Sequence, residues 1–300
     1  MQLKKLLLGA FLGLSLAACQ STPEKQDLPV VNVAFTTPLE SNARSELAIA
    51  RYSELLYRAN LTNEQKAQLY YDRGVLFDSL GMQTLAWIDF NRTIKLKPDL
   101  PEVYNFLGIH LTLRQQYTKA YEMFDSVLDL KPKHEYAYLN RGIALYYGDR
   151  AQLAKSDFTT FLEYAPDDAY RVVWLYLAEQ AISKPEAVKH LKQHAKKLNS
   201  DNWAYQLVSL YSGELSEEDF LAGLDKNVGN QQQYAERLCE AYFYLAKQYQ
   251  YAGNNLRAAE YFKLALATNV HEFVEYKYAR LELQVLQNEA MALEAAKIVH

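Results

Sequence analysis

Two cysteines in 300 residues, Cys19 and Cys239, leave no room for a disulfide framework. Glycine (11) and proline (8) are scarce, which argues against a loop-rich β architecture and for a mostly helical chain. Basic residues (32) do not outnumber acidic ones (36), so the basic face of a nucleic-acid binder is not expected. The apolar run Leu6–Ala18 is shorter than the ~20 residues needed to span a bilayer. The sequence also lacks a G-x-S-x-G elbow, a glycine-rich phosphate loop and an H-E-x-x-H zinc motif, so nothing in it points to an enzyme. What is abundant is tyrosine, at 24, in a chain that is 50% hydrophobic.

The N-terminus reads as a targeting segment. Lys4 and Lys5 precede Leu6–Ala18, and the run closes on Leu16-Ala17-Ala18-Cys19. This resembles the bacterial lipobox, which implies a signal peptide over 1–18 and an N-acyl diglyceride on Cys19, with no other cofactor. Two or more acyl chains are needed for stable anchoring. Gln20 after the cysteine, rather than Asp, implies the outer membrane. Removing the two leader lysines takes the formal charge from −4 to −6. Residues 19–41, holding Ser, Thr and prolines without period, read as a flexible or extended tether. Ala48, Tyr52, Leu55, Leu56 and Ala59 then follow helical spacing, giving an N-terminal helix within 42–66. Thr62 with Gln65 forms a capping box for the next helix.

From residue 67 a 34-residue period governs. Leu96-Lys97-Pro98 returns as Leu130-Lys131-Pro132, and Pro166 continues the series. Gly74, Gly108 and Gly142 keep the same register, as do Ala86, Ala120 and Ala154, then Phe90, Phe124 and Phe158, then Tyr70, Tyr104 and Tyr138. The spacing is that of the tetratricopeptide repeat, and the expected fold is an all-α solenoid. Small residues fit where paired helices cross, rings fill the spaces between pairs, and proline ends each second helix. Residues 67–166 hold three units. Residues 167–238 are helical but out of register, a degenerate middle region. Residues 239–272 hold a further unit through Tyr242, Tyr249, Gly253, Ala258, Phe262 and Ala265, and 273–300 form a C-terminal capping helix. Cys239 reads as a buried, inert thiol.

In such a solenoid the first helix of each unit lines a concave groove for a partner segment. By offset, the groove residues are Tyr71, Val75 and Asp78 with Gln68, then Asn105 and Ile109 with Glu102 and Thr112, then Tyr136, Leu139, Ile143 and Tyr146. None is Lys or Arg, which argues against a clamp for a peptide C-terminus. Each aromatic is equally readable as core. Tyr242, Tyr249, Phe273 and Tyr276 extend the candidate surface into the C-terminal half. His190 and His194 stand four apart on a helix, but lysines surround them and no third ligand is evident, so no metal site is expected. Arg73 and Arg141 stand where the repeat commonly has leucine and read as structural.

Four segments carry a narrower likeness: LYYDRGVLFDSLG (Leu69–Gly81), YAYLNRGIALYYGDR (Tyr136–Arg150), VWLYLAEQ (Val173–Gln180) and NVHEFVEYKYA (Asn269–Ala279). Together with the lipobox and the repeat layout they resemble the NlpI family of outer-membrane lipoproteins. The resemblance implies a periplasm-facing homodimer that binds a tail-specific periplasmic protease and peptidoglycan hydrolases, and that delivers a murein endopeptidase for degradation. On that reading the substrate is expected in the groove of the C-terminal half, near Tyr242–Tyr278, and the protease on other repeats; the family's contact residues do not carry over position by position. The helix over 42–60 either pairs with a second copy or caps the first repeat. A structural lipoprotein of an outer-membrane assembly complex, a hydrolase with a hidden site and a direct peptidoglycan binder are the competing readings.

Overall fold

The computed structural model describes residues 33–40, 43–58 and 60–298. The body described below begins at Ala34. Among the described residues there are fourteen helices and no strand. The signal peptide, Cys19 and most of the tether lie outside the described residues.

Helix α1 (Ala43–Arg58) has no buried residue and packs on α2 (Asn63–Ser79). Thr62 starts α2 with the expected capping box: its Oγ1 accepts from the Gln65 amide at 3.2 Å, and the Gln65 side chain accepts from the Thr62 amide at 3.0 Å. Three antiparallel pairs follow in the 34-residue register. They are α2 with α3 (Gln83–Leu96), α4 (Pro101–Leu113) with α5 (Tyr117–Leu130), and α6 (Glu135–Tyr147) with α7 (Ala151–Tyr164).

The period has a steric cause. A Cβ on Gly74 would stand 2.8 Å from the ring of Phe90; on Gly108, 2.6 Å from Phe124; on Gly142, 2.7 Å from Phe158. Each phenylalanine is fully buried against the glycine of its own unit, so the series is one knob in one hole, repeated. A proline ends each second helix because the residue before it is pushed out of the α region. Lys97, Lys131 and Ala165 have φ of −143°, −145° and −150°. The repeated tyrosine then closes the turn: Tyr104 and Tyr138 donate to the carbonyls of Pro98 and Pro132 at 2.9 and 3.2 Å.

The two unusual arginines are structural. Arg73 grips Asp89 with two hydrogen bonds, of 2.6 and 2.9 Å, and reaches Ser53 of α1 at 2.8 Å. Arg141 grips Asp157 with two of 2.8 Å and Asp125 with one of 2.7 Å. In the middle unit the same two positions are Leu107 and Met123, an apolar pair in place of an ionic one.

Past Pro166 the register fails because the surroundings change. Helix α8 (Ala169–Ile182) is buried on every side from Arg171 to Gln180, so no single apolar stripe is expected of it. It packs on α7, on α9 (Lys184–Ala195) and on α10 (Tyr205–Ser212), and a short α11 (Glu217–Ala222) follows. The later unit is α12 (Gln231–Tyr251) with α13 (Asn255–Ala267). Cys239 is fully buried there, and burial pushes its thiol well up.

The last described stretch of the expected tether is not free. The Tyr242 hydroxyl donates to the Ala34 carbonyl, the Leu39 amide donates to Thr268 O at 3.1 Å, and Asn269 donates to Leu39 O at 2.7 Å. Residues 34–39 therefore run along the α12–α13 unit by backbone hydrogen bonds, which sequence composition does not reveal.

Two buried carboxyls hold α12 to α14 (Val274–Ile298) and α8 without a cation. Glu240 accepts from Tyr170 and Trp203 at 2.8 Å each, and Glu275 accepts from Tyr244 at 2.8 Å. Burial, then the neighbouring Glu275, raises Glu240 to about 8, and burial raises Glu275 as well. A carboxyl raised in the folded state holds its proton where the unfolded chain has lost it. Its contribution is therefore full below the unfolded value of about 4.3 and is lost as pH rises toward about 8. Glu240→Gln keeps an acceptor for Tyr170 and Trp203, so urea midpoints should fall less between those limits than in the parent chain; parallel pH curves would contradict this. Gly108→Ala should destabilise. About 1–3 kcal/mol of overpacking against Phe124 exceeds the ~1 kcal/mol helix-propensity gain, and Phe124→Leu should restore part of the loss in urea unfolding.

Candidate functional site

The groove residues named from sequence differ in what surrounds them. Leu139 and Ile143 are core, and Tyr71, Val75 and Ile109 are half-buried against the Phe90 and Phe124 clusters. Tyr242 and Tyr276 are also buried, Tyr242 stacked on Tyr261 at 5.8 Å and Tyr276 edge-on to His271 at 4.6 Å. None of the buried four can offer a partner its side chain without unfolding something. Asn105 and Tyr249 are tied internally, Asn105 accepting from Asn140 at 3.0 Å and Tyr249 donating to Glu217 at 2.6 Å. Tyr136, Tyr146 and Phe273 keep accessible surface.

Asp78 is a correction of a different kind. It is 4% exposed and bonded at 2.7 Å both to His110 of α4 and to Lys277 of α14. A carboxylate can only accept, so the His110 Nε2–H donates. Burial works against ionisation of Asp78, but the hydrogen bonds from His110 and Lys277 outweigh it and hold the carboxyl down at about 2. Asp78 is an anchor for the C-terminal helix, not a groove acid.

The rest of α14 shows why. Its first half lies against the inner face of the early repeats. Tyr278 stacks on Tyr147 at 5.2 Å and meets Trp174 at 6.5 Å. Glu282, 2% exposed, accepts from Tyr147 at 2.8 Å and from Gln250 at 2.7 Å, and pairs with the buried Lys247. The helix expected to cap the solenoid thus lies against its inner face, and it carries in one cation, Lys277, that the groove positions lacked. The signal was present in the sequence: Glu275, Tyr278, Glu282 and Leu286 share one face of α14, and two carboxylates on an otherwise apolar stripe announce buried partners.

What α14 leaves open is a cavity of about 490 Å³ at the C-terminal ends of α6, α8 and α12. Tyr146 is the one residue named from sequence that lines it, with Tyr117, Tyr147 and Tyr251 as further ring walls. Lys247 lies over the Tyr146 and Tyr147 rings at 5.0 and 5.5 Å. The volume is that of a small-ligand or side-chain pocket. The middle region adds a second cleft, of about 360 Å³, beside Trp203. There both faces of the indole are taken, by Phe220 at 5.5 Å and by Arg237 at 4.7 Å.

His190 meets the carboxylate that the sequence did not show beside it: Glu179 of α8 lies 2.9 Å away and also pairs with Lys155 at 2.9 Å. This is an ion-pair cluster, and among the described residues no group of three or more His, Cys, Asp or Glu is arranged to hold a metal. Also among the described residues, no helix is long and apolar enough to cross a membrane. Exposed apolar side chains include Leu47 and Tyr57 on α1, Leu153 on α7, Leu256 on α13, and Met291 and Leu293 on α14, where residues 287–296 are exposed on every side.

No family model matches the chain. Solved structures that it resembles include a tetratricopeptide repeat protein from Parabacteroides merdae, with 14% identity, 82% of this chain and 100% of that chain covered, and a TM-score of 0.48. PilW, described as a widely conserved type IV pilus biogenesis factor, matches with 19% identity, 82% and 99% coverage and a TM-score of 0.43. YrrB, described as a TPR protein with an unusual peptide-binding site, matches with 13% identity, 79% and 97% coverage and a TM-score of 0.41. The repeat assignment itself rests on the 34-residue helix pairs and their Gly–Phe contacts, and the chain is a tetratricopeptide-repeat solenoid.

Proposed function

We propose that the chain is a protein-interaction scaffold, lipid-anchored through Cys19 on the periplasmic face of the outer membrane. It acts as an adaptor for a tail-specific protease and peptidoglycan hydrolases, and it promotes degradation of a murein endopeptidase and so cell-wall remodelling and division. The observation that carries the scaffold reading is the distribution of free surface. The first half of α14 lies against part of the repeats' inner face, yet a tyrosine-walled cavity and exposed apolar side chains, those of α1 and α14 among them, remain. The named partners and the membrane come from the family resemblance and the lipobox.

The mechanism is effective concentration: protease and substrate held on one body meet intramolecularly. The adaptor needs no reacting group of its own. Burial of Tyr242, Tyr276 and Tyr278 moves the substrate surface from those rings to the cavity between Tyr146 and Tyr251, which still joins the third unit to the C-terminal half. A second copy of the chain would cover Leu47 on α1 and Leu293 on α14, which are 73% and 65% exposed.

Two measurements test this reading. A soluble form starting after Cys19, added at a small fraction of the substrate concentration, should speed endopeptidase turnover by the purified protease at least about tenfold. Unchanged turnover would remove the adaptor role for these partners. Light scattering should give twice the chain mass, and Leu47→Asp with Leu293→Asp should halve it; a monomeric parent chain would remove the homodimer.

A further inference from the structure

The turn inside each repeat contains one residue in the left-handed region. In the first unit it is Gly81, with φ of 73°, and in the last it is Gly253, with φ of 80°. At the corresponding turns of the second and third units stand Gln115 and Asp149, with φ of 57° and 58°. A side chain there costs what glycine avoids. Both of these side chains line the 490 Å³ cavity, and both strained positions thus keep a polar group at its mouth.

The cavity already handles cations. Lys247 holds its ammonium over two tyrosine rings, and Lys184 lies over Tyr251 at 5.2 Å. Lys247 is neutralised by Glu282. Asp149 and Glu289 line the cavity as well and belong to no ion pair among the described residues, so even with Lys184 counted beside Tyr251 the carboxylates outnumber the ammonium groups three to two. The Tyr117 hydroxyl registers this potential: burial, then the charges of Glu282 and Asp149, push it up to about 12. Aromatic faces with unpaired carboxylates at the rim are the chemistry that receives an ammonium or guanidinium group.

We propose that this cavity is a recognition pocket for a lysine or arginine side chain of a partner protein, inserted beside α14 against Tyr117 and Tyr146 with Asp149 and Glu289 as its counter-ions. The pocket rests on the scaffold reading above and adds to it what chemistry the partner must present. The partner is one whose docking segment carries an exposed basic residue.

The probe is the peptide acetyl-Ala-Arg-Ala-amide, titrated into the soluble chain carrying ¹³C-labelled tyrosine rings, with acetyl-Ala-Gln-Ala-amide as its neutral counterpart. Tyr146→Phe assigns the Tyr146 signal. Saturable shifts of the Tyr146 and Tyr117 rings are expected with arginine, at an affinity at least about fivefold above that of glutamine. Asp149→Asn with Glu289→Gln should lose that preference without lowering the melting temperature, because asparagine tolerates the left-handed turn and Glu289 is exposed. Asp149→Gly should raise the melting temperature while weakening the arginine peptide. Equal binding of the two peptides, shifts confined to other rings, or a double variant that binds as the parent does would each overturn the pocket. A chain that fails this titration but still accelerates endopeptidase degradation loses the pocket alone. A chain that binds arginine in the cavity but accelerates nothing loses the named partners instead.

Discussion

The structure depends on one contact, the docking of α14 against the inner face of the repeats. A row of helix pairs has two ends and a concave surface, and each unit contacts mainly its neighbours. Here the last helix returns to the first units. Lys277 meets Asp78 at 2.7 Å, Tyr278 meets Tyr147 at 5.2 Å, and Glu282 meets Tyr147 at 2.8 Å. His271, just before α14, lies so close to the first intra-repeat turn that a Cβ on Gly81 would stand 2.8 Å from its ring. Residues 34–39 add a second tie along α12 and α13. The chain becomes a body whose early and late units support each other, and the partner surface is what that closure leaves uncovered.

The closure is made with charged groups in the interior, each of them satisfied. Desolvation of Asp78 is offset by the Lys277 ammonium and the His110 N–H, and that of Lys247 by Glu282 and Gln250. Removing one partner would strand the other, which costs far more than replacing both by apolar groups. The repeats themselves show the neutral exchange: two units carry an arginine–aspartate pair where the middle one carries Leu107 and Met123. Glu240 and Glu275 are the exception. They are held by hydroxyl and indole donors with no cation, and burial raises both carboxyls.

The repeats were legible because their constraints are local. A glycine under a phenylalanine and an extended residue before a proline must recur wherever the unit recurs. The capping box at Thr62 and the structural roles of Arg73 and Arg141 follow from such rules. The middle region escaped because α8 is buried on every side, and periodicity carries no information for a helix without a polar face. The groove was misjudged for another reason. Offsets within a unit say which residues face inward, but they do not say what lies there, and a helix two hundred residues away filled the space. Tyr146 lines the cavity beside α14 and keeps accessible surface there. Gln115 and Asp149 were readable in principle, since they replace glycine in register, yet their meaning appears only once the cavity is seen.

Hydrogen exchange along α14 tests the closure most directly. If its first half lies in the concave face as described, amides of residues 274–286 should exchange only through the largest unfolding event, roughly a hundredfold or more slower than those of residues 287–296, which are exposed on every side. Lys277→Ala should narrow that gap by loosening the Asp78 anchor. Uniformly fast exchange over the whole of α14 would mean that the helix stands free of the groove, and that the repeats' inner face is open to partners after all.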